Sequence, residues 1–184
     1  MLEDALTLTT CTLRRLVPSD AGSIARYANN PKVARWMRHR FPSPYQLTDA
    51  ESFIALDTGD EASEKHFAIE VDGDAVGVIG LMPGEPGEVH QRTAEIGYWI
   101  GEPYWGRGIA SDAALALSDA AFAEGRLLRI YASVYDGNTN SCRVLEKAGF
   151  EKEGIMRAYV EKNGEILDAH LYAKLSPALR NDLK

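Results

Sequence analysis

The 184-residue sequence has few cysteines, no long apolar run and no excess of positive charge. Its two cysteines, Cys11 and Cys142, form no C-x-x-C pair, which argues against a disulfide framework and a cysteine zinc site. No apolar run approaches the roughly 20 residues of a membrane-spanning helix. The start, MLEDALTLTTC, lacks the basic region and apolar core of a secretory signal. We therefore expect a cytoplasmic protein without a membrane partner.

The charge balance argues against binding to nucleic acid or anionic lipid. The chain has 20 basic and 27 acidic residues, a net charge of −7, which favours a cationic or amine-bearing partner. Its length predicts one domain, residues 1–184, and leaves monomer and homodimer open. The histidines show no metal-ligand spacing, so we expect no metal; they are His39, His66, His90 and His170.

Apolar periodicity and turn residues predict an α/β chain. A strand near residues 13–17 precedes a helical region at about 19–58, in which Ser19 is the expected first N-cap. Asp72-Gly73 separates two apolar runs, a hairpin pattern, and residues 93–100 form a further strand. A long helical pattern, another strand, a helix capped by Asn138, and a hairpin over about 150–175 follow. This order predicts a mixed sheet with helices packed on it.

A glycine-rich turn, Trp105-Gly106-Arg107-Gly108-Ile109-Ala110, stands between a strand and a helix N-terminus. The first amides of a helix have no internal partners and carry the positive end of the dipole, so they attract anions. Glycines remove the Cβ atoms that would hold a diphosphate away. The spacing matches neither the G-x-G-x-x-G fingerprint nor a Walker loop, and two glycines can equally form a plain turn.

Several motifs together resemble the GNAT acetyltransferases, and more narrowly a branch similar to ribosomal-protein N-terminal acetyltransferases. The motifs are EIGYWIGEPYWGRGIASDA, NTNSCRVLEKAGF, LRRLVPSDA, NNPKVARWM and the spaced pattern that begins at Arg157. The resemblance implies a mixed, mostly antiparallel twisted sheet of six to seven strands with about four helices. It also implies acceptor-side helices at about 19–58, an acetyl-CoA-binding core at about 93–150 and a C-terminal hairpin at about 150–175.

The resemblance also implies which residues contact acetyl-CoA. They are Trp99, Ile100, Gly101, Gly106, Arg107, Gly108, Ile109, Ala110, Asn138 and Ser141. Trp105 departs from the wider family, which has Gln or Arg there, so the diphosphate contact depends on backbone amides. The strand before the turn offers its edge to the amides of the pantetheine arm, and an unpaired edge is a template for such a ligand.

Acetyl transfer to an amine needs a base, an oxyanion donor and a proton for the departing thiolate. Glu95 is the first candidate for the base, directly or through water. The structural alternative is a surface glutamate, or one paired with Arg92 or Arg129. A backbone amide near Ile100 is the expected oxyanion donor.

The thiolate acid is harder to assign. Leu145 stands where the wider family often has tyrosine, and it cannot donate a proton. Ser141 lies about one turn earlier and resembles a serine of this branch; its alternative role is a second helix cap. Tyr135 is a reserve candidate. Cys142 points about 100° from Ser141 on a helix, so we expect direct transfer without an acetyl-cysteine.

The acceptor is less well specified. The resemblance favours a protein N-terminal amine; a small amine such as a polyamine, amino acid or antibiotic is the alternative, and a non-catalytic acyl-CoA-binding module is a third reading. The basic run from Arg38 to Arg40 is most simply a solvated helix face, and as a weaker hypothesis it orients an acidic acceptor.

Overall fold

The computed structural model describes residues 5–58 and 65–182. This part of the chain contains eight strands and six α-helices. The strands are β1 (Leu6–Thr7), β2 (Thr12–Arg15), β3 (Lys65–Val71), β4 (Asp74–Pro83), β5 (Thr93–Ile100), β6 (Arg129–Tyr135), β7 (Glu151–Lys162) and β8 (Glu165–Leu175). The helices are α1 (Ala21–Ala28), α2 (Pro31–Ala34), α3 (Leu47–Thr58), α4 (Ile109–Ala123), α5 (Thr139–Lys147) and α6 (Pro177–Asp182). None of the described helices is long and apolar enough to cross a membrane.

The chain divides into two compact units. Among the described residues, the first unit comprises 5–58, 65–82 and Gly97–Ala113. The second unit comprises Pro83–Ile96 and residues 114–182. Strand β5 passes from the second unit into the first between Ile96 and Gly97.

The first unit contains an antiparallel ladder of β1, β2, β3 and β4, in that order. Asp72 and Gly73 join β3 to β4 with positive φ angles of 52° and 86°, so the predicted hairpin turn is confirmed. A core cluster joins Ile24 of α1 and Ile54 of α3 to Ala68, Val78 and Trp99 of the strands. Burial of such apolar side chains is the main stabilising term of the unit.

The entry into α1 differs from the predicted cap. Ser19 lies inside a 3₁₀ turn, Pro18–Asp20, and α1 begins at Ala21. The Asp20 carboxylate accepts hydrogen bonds of 2.9 Å from the Val17 amide and 2.8 Å from two Arg14 nitrogens. An arginine six residues before Asp20 therefore helps to hold this turn.

Helix α2 is shorter than the sequence pattern indicates. Asn30 caps it by accepting from the Lys32 amide at 2.9 Å, and the helix ends at Ala34. The basic run 38–40 thus follows the helix in a turn, and the prediction of a solvated helix face is wrong. Proline at the first helical position explains the start.

The second unit contains the first residues of β5 with β6, β8 and β7. Thr93–Glu95 pairs in parallel with residues 129–131 of β6, while β6 with β8 and β8 with β7 are antiparallel. Lys174 of β8 donates to Ser118 and Asp119 of α4, and Tyr172 of β8 donates to Glu146 of α5. One face of this sheet therefore contacts both helices.

The predicted α/β class with a mostly antiparallel, mixed strand arrangement is confirmed. The described chain has somewhat more elements than the six to seven strands and four helices expected. The additional elements are short, such as β1 with 2 residues, α2 with 4 and α6 with 6. The single-domain expectation remains a prediction.

Candidate functional site

The glycine turn of the first unit has the conformation that its sequence requires. Gly106 and Gly108 have φ angles of 76° and 82°, in the region that side chains of L-residues rarely adopt. A Cβ built on either glycine meets no described heavy atom within 4 Å. The glycines are therefore required by backbone conformation, and the space beside them admits an incoming group.

Helix α4 starts directly from this turn. The amides of Ser111 and Asp112 both donate to the Gly108 carbonyl at 3.0 Å, which makes Gly108 the residue that closes the first helical turn. The amides of Ile109 and Ala110 precede the first intrahelical bond and lie at the positive end of the helix dipole. The buried Ile109 side chain anchors this helix start. The predicted residues 106–110 thus lie together at the start of helix α4, a position that favours anions in general.

The strand that leads into the turn is held by Trp105. Its indole Nε1 donates to the Ile100 carbonyl at 2.7 Å. The Gly101 amide donates to the Val76 carbonyl of β4 at 2.8 Å, so backbone alternation directs the Ile100 peptide groups toward the edge opposite β4. Trp99, Ile100 and Gly101 are the predicted residues of the strand that offers its edge to the pantetheine arm. Ile100 has the suitable backbone direction, whereas the Gly101 amide donates to β4. The sequence revealed Trp105 only as a departure from the family pattern.

A polar cluster braces the turn from helices α1 and α2. The Tyr27 and Tyr104 hydroxyls are 3.2 Å apart, and this bond raises the pKa of Tyr104. The Arg107 guanidinium lies 5.2 Å from the Tyr104 ring centroid, a cation–π contact. Glu102 accepts from Asn30 at 2.8 Å and binds Lys32; the Lys32 bond is the first cause of its lowered pKa. These partners join distant segments, so sequence analysis missed them.

The proposed base, Glu95, belongs to the second unit. It is half-buried on β5 and pairs in register with Tyr131 of β6. The Ser133 hydroxyl donates to its Oε1 at 3.3 Å. The sequence left open a structural ion pair of Glu95 with Arg92 or Arg129. Both arginines have contacts elsewhere. Arg129 forms a two-pronged ion pair with Glu153, and Arg92 donates to the carbonyls of residues 125 and 126.

Helix α5 of the second unit contains the other predicted groups. The Asn138 side chain accepts from the Ser141 amide at 3.3 Å, so the predicted cap is confirmed. Ser141 is half-buried in the first turn, and Leu145 is fully buried one turn later. Tyr172 contacts this helix, and its pKa is raised by burial and by hydrogen bonds with Cys142 and Glu146.

His170 lies on the sheet face opposite Glu95. It pairs with the buried Val134, whereas Ser133, the neighbour of Val134, faces Glu95. Its Nε2 lies 3.0 Å from Asp136 Oδ1. Among the described residues, no group of three or more His, Cys, Asp or Glu side chains could hold a metal ion.

The predicted site residues thus form two separate sets. The first unit contains Trp99–Gly101 and Gly106–Ala110, arranged as a strand end followed by the glycine turn. The second unit contains Glu95 with Ser133, and Asn138 with Ser141.

Comparison with known proteins identifies similar chains. A family model described as an acetyltransferase (GNAT) domain matches residues 11–151. The chain is 32% identical over 162 residues to the spermidine N(1)-acetyltransferase of Escherichia coli K12, covering 85% of this chain and 81% of that protein. It is 34% identical over 111 residues to the ribosomal-protein-serine acetyltransferase of the same organism, covering 60% of each.

A solved structure extends the similarity to the fold. Mycobacterium smegmatis RimJ, solved in complex with CoA-disulfide, matches with a TM-score of 0.80 and 28% identity. The match covers 91% of this chain and 83% of that one.

Proposed function

Because this chain belongs to the GNAT acetyltransferase family and is an N-acetyltransferase, we propose that it transfers acetyl from acetyl-CoA directly to a protein N-terminal amine. The observation that carries the proposed chemistry is the Glu95 carboxylate, half-buried on β5 and held by Ser133. Both arginines that offered it a structural ion pair have other partners. A carboxylate in this setting suits proton removal from an ammonium group.

The cofactor part of the proposal depends on the first unit. The amides of residues 106–110 bind the diphosphate, because they combine unpartnered helix-start donors with glycine conformations that clear the approach. The Ile100 amide donates to the pantetheine arm or to the developing oxyanion, because it points away from β4, while the Ile100 carbonyl accepts from Trp105. Trp99 and Gly101 support this peptide through their packing against β4.

Proton delivery to the departing thiolate is assigned to Ser141, with Tyr135 as the alternative donor. Ser141 occupies the first turn of α5, where its own amide is bonded to the Asn138 side chain. That bond fixes the backbone that carries the hydroxyl. Asn138 serves as the cap and as a cofactor contact.

A small-molecule amine is the second candidate acceptor, and two observations favour it. The spermidine acetyltransferase relative matches across 85% of this chain, and the net charge of −7 attracts a polycation. The ribosomal-protein-serine acetyltransferase relative supports the protein acceptor.

A competition assay separates these acceptors. Purified enzyme is incubated with acetyl-CoA, a decapeptide with a free N-terminal serine, its N-acetylated copy as control, and spermidine. Coenzyme A release and the mass of each product are followed. The proposal predicts that the serine peptide gains the mass of one acetyl group. Its N-acetylated copy should gain none. Acetylated spermidine alone favours the second candidate, and tight coenzyme binding without any product supports a non-catalytic module.

A further inference from the structure

A short segment of the first unit connects the two proposed cofactor contacts. Residues 101–104, here called the connecting segment, run from the Ile100 peptide to the glycine turn at 106–110. Most of the segment is one 3₁₀ turn, Glu102–Tyr104. The position of this segment therefore sets the spacing between the strand end and the glycine turn.

Helix α1 contacts both ends of the connecting segment through one side chain. Tyr27 packs so closely on Gly101 that a Cβ there would lie 2.9 Å from the aromatic ring. The Tyr27 and Tyr104 rings meet edge to face with centroids 5.4 Å apart, and their hydroxyls share the 3.2 Å hydrogen bond. The first and last residues of the segment thus lie against the same tyrosine.

Helix α2 holds the segment at Glu102, through three residues that we call the Glu102 cluster: Asn30, Lys32 and Glu102. The Asn30 amide nitrogen donates to Glu102 Oε2 at 2.8 Å, and the Lys32 ammonium donates to Oε1. The Asn30 side-chain oxygen also accepts from the Lys32 backbone amide at 2.9 Å, so the residue that caps α2 orients both partners. Because both carboxylate oxygens are bonded, the rotation of the carboxylate is fixed.

The exposure of this cluster indicates positioning more than stabilisation of the fold. The Lys32 side chain is 67% exposed and that of Glu102 is 36% exposed. Exposed ion pairs contribute little to the free energy of unfolding. The bonds nevertheless join α2 to the segment that separates the two cofactor contacts.

We infer that the Glu102 cluster aligns the two parts of the cofactor site: it fixes the connecting segment so that one acetyl-CoA molecule reaches the Ile100 amide and the glycine turn together. This inference rests on the proposed binding of acetyl-CoA by these backbone groups. Asn30, Lys32 and Glu102 are positioning residues that act through the backbone they hold. A ligand that bridges two contacts gains the full affinity of both only when their separation matches its own span.

The expected signature is a loss confined to the ligand that spans both contacts. Acetyl-CoA spans them, whereas its fragment 3′-phosphoadenosine 5′-diphosphate carries the diphosphate and lacks the pantetheine arm. In Glu102→Ala we expect the Kd of acetyl-CoA to rise roughly three- to tenfold and the Kd of the fragment to stay within about twofold. A cluster that merely supports the glycine turn would weaken both ligands by one factor.

The experiment measures both dissociation constants by titration calorimetry, with the fragment also titrated as a competitor of acetyl-CoA. It compares wild type, Glu102→Ala, Glu102→Gln, Lys32→Met and the double variant Lys32→Met/Glu102→Ala. Glu102→Gln keeps an oxygen for Asn30 and loses the charge that binds Lys32, so its loss should be smaller. Glu51→Ala is the matched control, because it removes the same charge from an exposed position on helix α3. Thermal unfolding verifies that each variant is folded, and Glu102→Gln carries the comparison if Glu102→Ala does not fold.

Three results overturn the inference and leave the proposed cofactor site intact. One is an equal loss of affinity for acetyl-CoA and for the fragment in the Glu102 variants. Another is wild-type affinity for acetyl-CoA in these variants when they are folded. The third is a full further loss when Lys32→Met is added to Glu102→Ala, because residues that act through one group are not additive. Wild-type protein that fails to bind acetyl-CoA or the fragment is a different failure, which removes the proposed diphosphate contact and the inference with it.

Discussion

The indole Nε1 of Trp105 donates a hydrogen bond of 2.7 Å to the carbonyl oxygen of Ile100. The residue before the glycine turn thereby holds the strand end whose peptide groups point away from β4. The tryptophan that replaces the family's usual polar residue thus has a structural partner of its own.

Trp105→Phe keeps an aromatic ring and removes this donor. We expect the KM for acetyl-CoA to rise roughly three- to tenfold, the range expected for one hydrogen bond that positions a binding strand. Trp36→Phe is the control, because that indole stacks under Arg35 at 4.7 Å and not on the turn. Initial rates at varied acetyl-CoA concentration give the KM of both variants. An unchanged KM in Trp105→Phe would contradict the positioning role.

Direct transfer predicts that Cys142 is dispensable. Cys142 lies on α5 and shares a hydrogen bond with the buried Tyr172. We expect Cys142→Ala to keep kcat within about twofold, since no covalent step uses the thiol. The measurement is a rate matrix with both substrates varied, together with the intact mass of enzyme mixed with acetyl-CoA. Parallel double-reciprocal lines, or an acetylated enzyme lost in the variant, would mean a covalent route.

Stability at acidic pH should depend on Asp20. Burial raises the pKa of this carboxyl, but the Arg14 bonds and the Val17 amide outweigh burial and lower it below 3.8. A lowered folded pKa gives stabilisation that is present above the unfolded pKa and is lost as pH falls through the folded value. The free energy of unfolding of wild type, measured in urea, should therefore fall steeply below about pH 4. That of Asp20→Asn should fall less over the same range.

The partner variant Arg14→Met tests the same pair at neutral pH. Asp20 is 5% exposed, so loss of the guanidinium leaves a buried charge without its partner. We expect the free energy of unfolding to fall by about 3 kcal/mol. Arg26→Met is the control, because its pair with Asp74 is exposed on both sides and 3.8 Å long. Equal losses in the two variants contradict the importance of burial.

Ala158 has a strained backbone. It lies in a β-bulge of β7 with a φ of 50°, and its amide donates to Asp168 at 2.8 Å. Ala158→Gly should raise the unfolding free energy by about 0.5 kcal/mol, since relief of the left-handed strain exceeds the entropy cost of glycine. Asn163→Gly at φ 54° should change little, because asparagine tolerates this region. Thermal unfolding measures both variants. An equal change in stability in Ala158→Gly and Asn163→Gly would contradict the strain argument.

Local signals in the sequence predicted local structure well. The bounds of β5 match the predicted residues 93–100, and the predicted hairpin at about 150–175 turns at Asn163-Gly164, with φ angles of 54° and 81°. Asn138 caps α5 as expected, and Gly149 ends it with a φ of 84°. Each of these features depends on a few adjacent residues, so the chain specifies it without reference to distant segments.

Contacts between distant segments could not be predicted. Ser133 meets Glu95 only because β5 and β6 pair in one register, and no pattern in either strand states that register. The side chains that contact the candidate base or hold the turn are fixed by tertiary packing, whereas the glycine turn itself is visible in the sequence.

The central claim is that the amides of the glycine turn bind the diphosphate of acetyl-CoA. Titration calorimetry of acetyl-CoA into folded enzyme tests it most directly. We predict one molecule bound per chain, binding at least roughly tenfold weaker in Gly108→Asp through strain and like charge, and wild-type affinity in Gly87→Asp, whose glycine has a similar φ of 86° outside the turn. No heat from the wild-type protein, or equal losses in the two variants, would contradict the account.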